Sequence, residues 1–191
     1  MSNSREDTFR NIIEGNKRFR GSNREFRKFA EYQDPDYVII SCSDSRVPPS
    51  IITDSPLGSL FEIRAAGGVI DYSALASVEF ALKTLNVKGV LVIGHTKCGA
   101  VTEAQKLFTN APGEKNMAQE GALQHAVNEI FKVISKDPAN QNDVNTAVID
   151  NAKAQLEKLM ESEIVKEKSD SGRIVFSASL YDIEDGTLIL I

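Results

Sequence analysis

The run GVLVIGH at residues 89–95 is apolar at both alternating sets of positions until its final histidine, the pattern of a strand buried on both faces of a parallel sheet. YVIIS, beginning at Tyr37, has the same character, and SLFEIRAAGG at 59–68 reads as another strand ending in glycines. Between these runs the period changes. Asp71 stands where a helix cap is needed, and Leu75, Val78, Leu82 and Leu85 follow at helical spacing. Further helices are expected at about 98–108, 119–134 and 144–160, the last two separated by the polar KDPANQND. IVFSASLYD and TLILI, joined at Asp185 and Gly186, read as closing strands that can form a hairpin. Strands alternating with helices predict an α/β fold: a single domain over 1–191 with a mainly parallel central sheet flanked by helices.

The amino-terminal stretch reads as a helical arm over 1–30. Ser4 with Asp7 resembles a capping pair, Phe9, Ile12, Ile13 and Phe19 mark an apolar side, and Gly21 is placed to end the helix. A short helix through Phe26 and Phe29 is expected next, and PPSIITDSP at 48–56 reads as a turn or short helix. Charges interrupt the apolar pairs of the first 19 residues, so no signal-peptide core is expected there. No run of eighteen apolar residues occurs, and the expectation is a soluble, cytoplasmic protein without a membrane partner. A formal charge of -5, with lysines and arginines scattered along the chain, argues against nucleic acid as a partner.

The chain has two cysteines, Cys42 and Cys98, and both fall at the carboxyl ends of the apolar runs. YVIISCSDSRVPP brings Cys42 with Asp44 and Arg46, and GHTKCGA brings His95 and Cys98. The carboxyl ends of strands are where an open α/β sheet forms its ligand crevice, so the three can meet there. Two thiolates and one imidazole suit zinc, and three protein ligands leave a fourth position for water. Asp44 is near enough to Cys42 to reach that position itself, and Arg46 is near enough to draw it away as a bidentate ion pair. Taken singly, each feature has a plainer reading: Cys42 as a small buried hydrophobe, Asp44 and Arg46 as a structural salt bridge. His125 lacks a matching partner and reads as a helix residue; Gly67 and Gly68 read as turn glycines, and the charges of 156–170 as a solvated face. A phosphate-cradling thiol loop fits less well, because three residues separate Cys42 from Arg46 where such a loop has five.

The combination of CSDSR with GHTKCGA resembles the β-class carbonic anhydrases, and the likeness continues through QDPDYVIISCSDSRVPP, ASVEFALKTLNVKGVLVIGH, NAKAQLEKL and LYDIEDGTL. The resemblance implies reversible hydration of carbon dioxide to bicarbonate and a proton, with one zinc ion per chain. Cys42, His95 and Cys98 become the implied zinc ligands and Asp44 with Arg46 the catalytic dyad, Asp44 being a fourth ligand in a closed state. Gln33, Phe61 and Gly99 fall at substrate-pocket positions, and Phe80 stands where many members carry tyrosine. The common R-N-x-A-N pattern appears as Arg64 followed by Ala65, Ala66, Gly67 and Gly68. Arg64 and Tyr181 match two residues of an inhibitory bicarbonate site known in one subgroup. Ile39 replaces its tryptophan, so no such site is expected. The resemblance implies a homodimer or higher homo-oligomer, with the amino-terminal arm on the partner and the crevice near the interface. The same zinc chemistry on carbonyl sulfide or carbon disulfide is the alternative activity. A metal-stabilised interaction protein, its metal closed by Asp44, is the non-enzymatic one.

Overall fold

The computed structural model describes residues 5–22, 25–110 and 121–191. The chain divides into two compact units, Met1–Gln33 and Asp34–Ile191. In the first, α1 spans Arg5–Ser22 and a 3-10 turn spans Glu25–Phe29. Phe9, Ile12 and Ile13 are at least half exposed along α1. Gly21 does not end this helix, which runs on to Ser22, whose hydroxyl donates to the Arg18 carbonyl at 3.0 Å. A glycine inside a last turn costs only about 1 kcal/mol relative to alanine and is tolerated. The expected Ser4 cap lies outside the described residues.

The second unit holds a five-stranded sheet in the order β2-β1-β3-β4-β5, built from β1 (Tyr37–Cys42), β2 (Leu60–Ala65), β3 (Gly89–His95), β4 (Val175–Tyr181) and β5 (Leu188–Leu190). All neighbours are parallel except β4 and β5, whose antiparallel pairing confirms the closing hairpin. Thr187 N donates to Asp185 Oδ1 at 2.8 Å in that turn, and Gly186 supplies the positive φ of 78°. β1 carries β-branched residues at three successive positions, and its last five residues are all buried, as a central strand requires.

The helices follow the sequence periods. α2 (Pro49–Ile52) is the short helix after β1, and α3 (Tyr72–Thr84) begins at the expected cap, with Asp71 Oδ1 accepting from Ala74 N at 2.8 Å. α4 (Gly99–Asn110), α5 (Ala122–Ile134) and α6 (Val144–Leu159) match the other expected helices; the part of α5 expected from residue 119 lies outside the described residues. One helix escapes the sequence pattern. α7 (Glu163–Asp170) is capped by Ser162 and buries Val165, while its charges form the solvated face expected of that stretch. Among the described residues no helix is long and apolar enough to cross a membrane.

Two apolar clusters cover the sheet. Val38, Ile40, Val90, Val92 and Ala178 pack on α3, α6 and α7 through Val78, Leu82, Leu159 and Val165. The second cluster joins Cys42 and Cys98 to Val101 and Ala104 of α4, Val127, Ile130 and Ile134 of α5, and Val148 of α6. The cysteines therefore sit in the wall of a packed core, with little freedom to move apart. α6 reaches the sheet at Gly94, where an added Cβ would stand 3.0 Å from Val148 Cγ1 and 3.2 Å from the Ala152 Cβ. Gly94→Val should therefore overpack this contact and lower stability by about 1–3 kcal/mol, read as a lower urea midpoint with unchanged slope.

Candidate metal centre

Parallel pairing of β1 with β3 in the register Ser41↔Ile93 brings the two strand ends level, so Cys42 and His95 emerge side by side. Beyond β3, Thr96 and Lys97 turn the chain into α4, and Lys97 adopts a left-handed φ of 56° that delivers Cys98 back to the same point. A non-glycine residue in that region carries backbone strain, which accumulates at functional sites. The ligand atoms of Cys42, His95 and Cys98 all lie within 4.8 Å of one another, and all three residues are buried.

The two sulfur atoms are 3.9 Å apart. Tetrahedral zinc with bonds of about 2.3 Å to sulfur would hold two thiolates about 3.8 Å apart, so the pair fits that ion without rearrangement. The imidazole fits as well. His95 Nδ1 lies 2.9 Å from the Thr96 carbonyl, which can only accept, so Nδ1 carries the proton. Nε2 is left with its lone pair, buried and without a hydrogen-bond partner. A buried polar atom of this kind is costly unless something else engages it, and a metal ion would.

The thiols are prepared electrostatically. The Cys98 thiol donates to Cys42, and this bond, together with the adjoining His95 ring and hydrogen bonds from the Asp44 and Gly67 amides, outweighs burial and holds the Cys42 thiol well below its ordinary range. Cys98 is pushed up in turn, because its proton is the one shared with Cys42 and because it is buried. Loss of one proton is thus favoured, and a bound cation would displace the other. The Gly67 N–H reaches Cys42 Sγ at 3.3 Å from a backbone with φ of 65°, and an added Cβ there would meet Ile130 Cδ1 at 2.5 Å. Gly67, expected to be a turn glycine, is also a donor to the Cys42 sulfur.

Asp44 and Arg46 form the anticipated bidentate pair: Nε donates to Oδ1 at 3.0 Å and Nη2 to Oδ2 at 2.7 Å, and the Arg46 N–H adds a 2.9 Å bond to Oδ1. Arg46 Nη2 also donates to the Lys97 carbonyl at 3.2 Å. Asp44 Oδ2 stands 3.9 Å from His95 Nε2, beside the cluster. Arg64 holds the loop from beneath, donating through Nε to the Cys42 carbonyl at 3.1 Å and through Nη2 to the Asp44 carbonyl at 2.7 Å. Its guanidinium is therefore engaged in the Cys42–Asp44 loop, a role the sequence does not signal. Ile39, at the tryptophan position of the inhibitory site, is buried in β1.

Phe61 and Phe80, two of the other expected site residues, stand apart from this cluster. Phe61 and Phe80 face one another, with ring centroids 6.3 Å apart. Phe61 pairs with Val38, four residues down β2 from the Ala65–Cys42 pair, hence about 13 Å from the cluster along the strand. Gln33 belongs to the first unit and is exposed. Gly99 opens α4, and an added Cβ there would meet nothing within 4 Å, so this chain's own packing does not demand glycine.

The carbonic anhydrase family model matches residues 37–188. A carbonic anhydrase of Synechococcus elongatus is 35% identical over 195 residues, covering 95% of this chain and 71% of that protein. One from Pseudomonas aeruginosa is 31% identical over 193 residues, covering 94% and 86%. Among solved structures, the β-carbonic anhydrase CafA of Aspergillus fumigatus superposes with a TM-score of 0.81 at 27% identity, over 97% of this chain and 91% of that one.

The Arg46 guanidinium holds the Asp44 carboxyl well below the usual carboxylate range. A carboxyl lowered in the folded state stabilises the fold above its unfolded value, near pH 4, and the contribution is lost as pH falls toward the folded value. Arg46→Ala should therefore destabilise the protein at pH 7, and the gap from wild type should narrow below about pH 4. Urea melts of both proteins at pH 7 and pH 3 measure this; a gap that widens on acidification would contradict it.

Proposed function

The chain belongs to the β-class carbonic anhydrase family, and from that premise we propose that it hydrates carbon dioxide reversibly to bicarbonate and a proton, with one zinc ion held by Cys42, His95 and Cys98. The observation that carries the zinc assignment is the buried, unpartnered Nε2 of His95 facing two sulfurs at the spacing of a tetrahedral ion. When bound, zinc supplies the Lewis acidity that makes water a nucleophile near neutral pH.

The chain's own residues supply the rest. Asp44 remains ionised because Arg46 engages both its oxygens, so at working pH it can only accept. It orients the reacting water by taking its hydrogen bond and keeps the water's lone pair directed at the substrate carbon. Arg46, itself fixed by the Lys97 carbonyl, prevents Asp44 from swinging toward the ligands and closing the site. That the pair is already formed favours the open arrangement over one closed by Asp44, and with it an enzyme over a metal-stabilised interaction protein. The buried thiolates of Cys42 and Cys98 with the neutral His95 imidazole would hold the ion, the two negative charges of the thiolates balancing its own.

An apolar pocket for a small linear neutral molecule is the remaining requirement. Phe61 and Phe80 lie about 13 Å along the sheet from their own chain's cluster, so for these rings to line the crevice a second copy must bring them. The proposed assembly is thus a homodimer or larger homo-oligomer with the crevice near its interface, and Gln33 is the residue proposed as the polar contact for substrate. The proposed location is the cytoplasm, where a thiol pair such as Cys42 and Cys98 is maintained reduced for metal.

Stopped-flow hydration of carbon dioxide, with zinc quantified in the same sample, tests the proposal. Wild type should carry about one zinc per chain and be active. Cys98→Ser should lose both metal and activity, whereas Asp44→Asn should keep its zinc and lose about 10²–10⁴-fold in kcat/KM. Higher kcat/KM on carbonyl sulfide or carbon disulfide than on carbon dioxide would transfer the assignment to a hydrolase. Full zinc and a normal rate in Cys98→Ser would remove the metal assignment.

A further inference from the structure

A cavity of about 840 Å³ between the starts of α3 and α7 is lined in part by His125 and Lys158, yet several of its polar side chains are already engaged: Ser162 donates to Glu79, and Lys158 to Glu129 outside the cavity. A second set of bonds leads further. Thr96 is buried at 4% exposure, directly after the metal histidine, and every polar group it has is used. Its N–H donates to the Tyr181 carbonyl at 3.0 Å, its hydroxyl accepts from Ile183 N at 3.1 Å and donates to Asp182 Oδ1 at 3.3 Å, and its carbonyl accepts from His95 Nδ1. Asp182 is in turn fixed in the β4–β5 turn: Oδ1 accepts from Glu184 N at 2.8 Å, and its N–H donates to Thr187 O at 2.8 Å.

We propose that Thr96 and Asp182 are positioning residues for the metal centre: the closing hairpin, more than 80 positions away in sequence, clamps the Thr96 hydroxyl, and the clamped peptide presents the carbonyl that fixes the His95 tautomer. The reasoning is geometric. A carbonyl aimed at Nδ1 keeps the proton there and leaves Nε2 to the metal, and the bonds of the Thr96 hydroxyl to Ile183 N and Asp182 Oδ1 add to that of its N–H with Tyr181 in fixing the direction of this carbonyl. The next residue shares the anchorage, because Lys97, whose carbonyl receives Arg46, pairs through its ammonium with Glu184 of the same turn. Ligand orientation on β3 and dyad orientation on the loop after β1 thus have one common support. Outer-shell bonds of this kind are worth about 10–100-fold in metal affinity.

The inference rests on the zinc assignment, and the experiment separates the two. Zinc dissociation constants are measured by chelator competition on the full chain, together with the His95 ring N–H proton signal in the zinc-loaded protein. Thr96→Val, which removes the hydroxyl at constant size, should weaken zinc about 10–100-fold and broaden the ring N–H by exchange. Thr96→Ser should stay within about threefold of wild type. Val165→Ala, a core deletion under α7, is the control for lost stability and should leave both readouts unchanged. If Thr96→Val does not fold, Asp182→Ala against Asp182→Asn carries the test: weakened zinc in the first and near-normal zinc in the second supports the clamp, and equal affinities in the two overturn it. Thr96→Val with wild-type affinity overturns it directly. A wild-type protein that binds no zinc overturns the metal assignment and the clamp with it.

Discussion

The site depends on the parallel pairing of β1 with β3. A register in which Ser41 opposes Ile93 sets Cys42 level with the end of β3, so that His95 arrives beside it and the turn through Thr96 and Lys97 returns Cys98 to the same point. A slip of one residue would turn Cys42 to the opposite face of the sheet and leave Nε2 of His95 facing one sulfur. Register is fixed in turn by burial: Val38 and Ile40 point into one cluster, and Cys42 lies in the other. The same six residues of β1 thus specify core packing and place Cys42 in the Cys42–His95–Cys98 cluster.

Around that pairing the structure places charge with care. Two buried thiols, one buried imidazole and a carboxylate stand within a few ångströms, an arrangement that would be unfavourable without compensation. Compensation comes from backbone donors at Gly67 and Asp44, from the thiol of Cys98, and from two arginines with separate tasks. Arg46 takes the Asp44 carboxylate, and Arg64 takes the carbonyls of Cys42 and Asp44. The strained backbone at Lys97 serves this purpose too, since its carbonyl meets Arg46.

Much of this was legible in the sequence where a pattern has a single physical meaning. GVLVIGH and YVIISC can be satisfied only by strands buried on both faces, and Asp71 before a helical repeat only by a cap, so the sheet and α3 were readable. Cys42, His95 and Cys98 were readable as a set because strand ends in a parallel sheet converge, and Asp44 with Arg46 because a single residue separates a carboxylate from a guanidinium that can fork onto it. What could not be read depends on distance through space. Arg64 grips carbonyls, which leave no mark in a sequence, and Thr96 looks like any turn residue until the hairpin at 181–187 is seen against it. α7 is short and mostly charged, so its single buried valine gives no period to detect. The aromatic pair of Phe61 and Phe80 was foreseen as pocket lining, yet its place about 13 Å down the sheet follows from the register, which sequence alone leaves open.

X-ray absorption at the zinc edge of the purified wild-type protein tests the central claim, convergence of these three side chains on one ion, most directly. The account predicts two sulfur neighbours at about 2.3 Å and nitrogen or oxygen neighbours at about 2.0–2.1 Å, one of them carrying the outer-ring scattering of imidazole. A zinc shell without sulfur, or with a single sulfur, would contradict it.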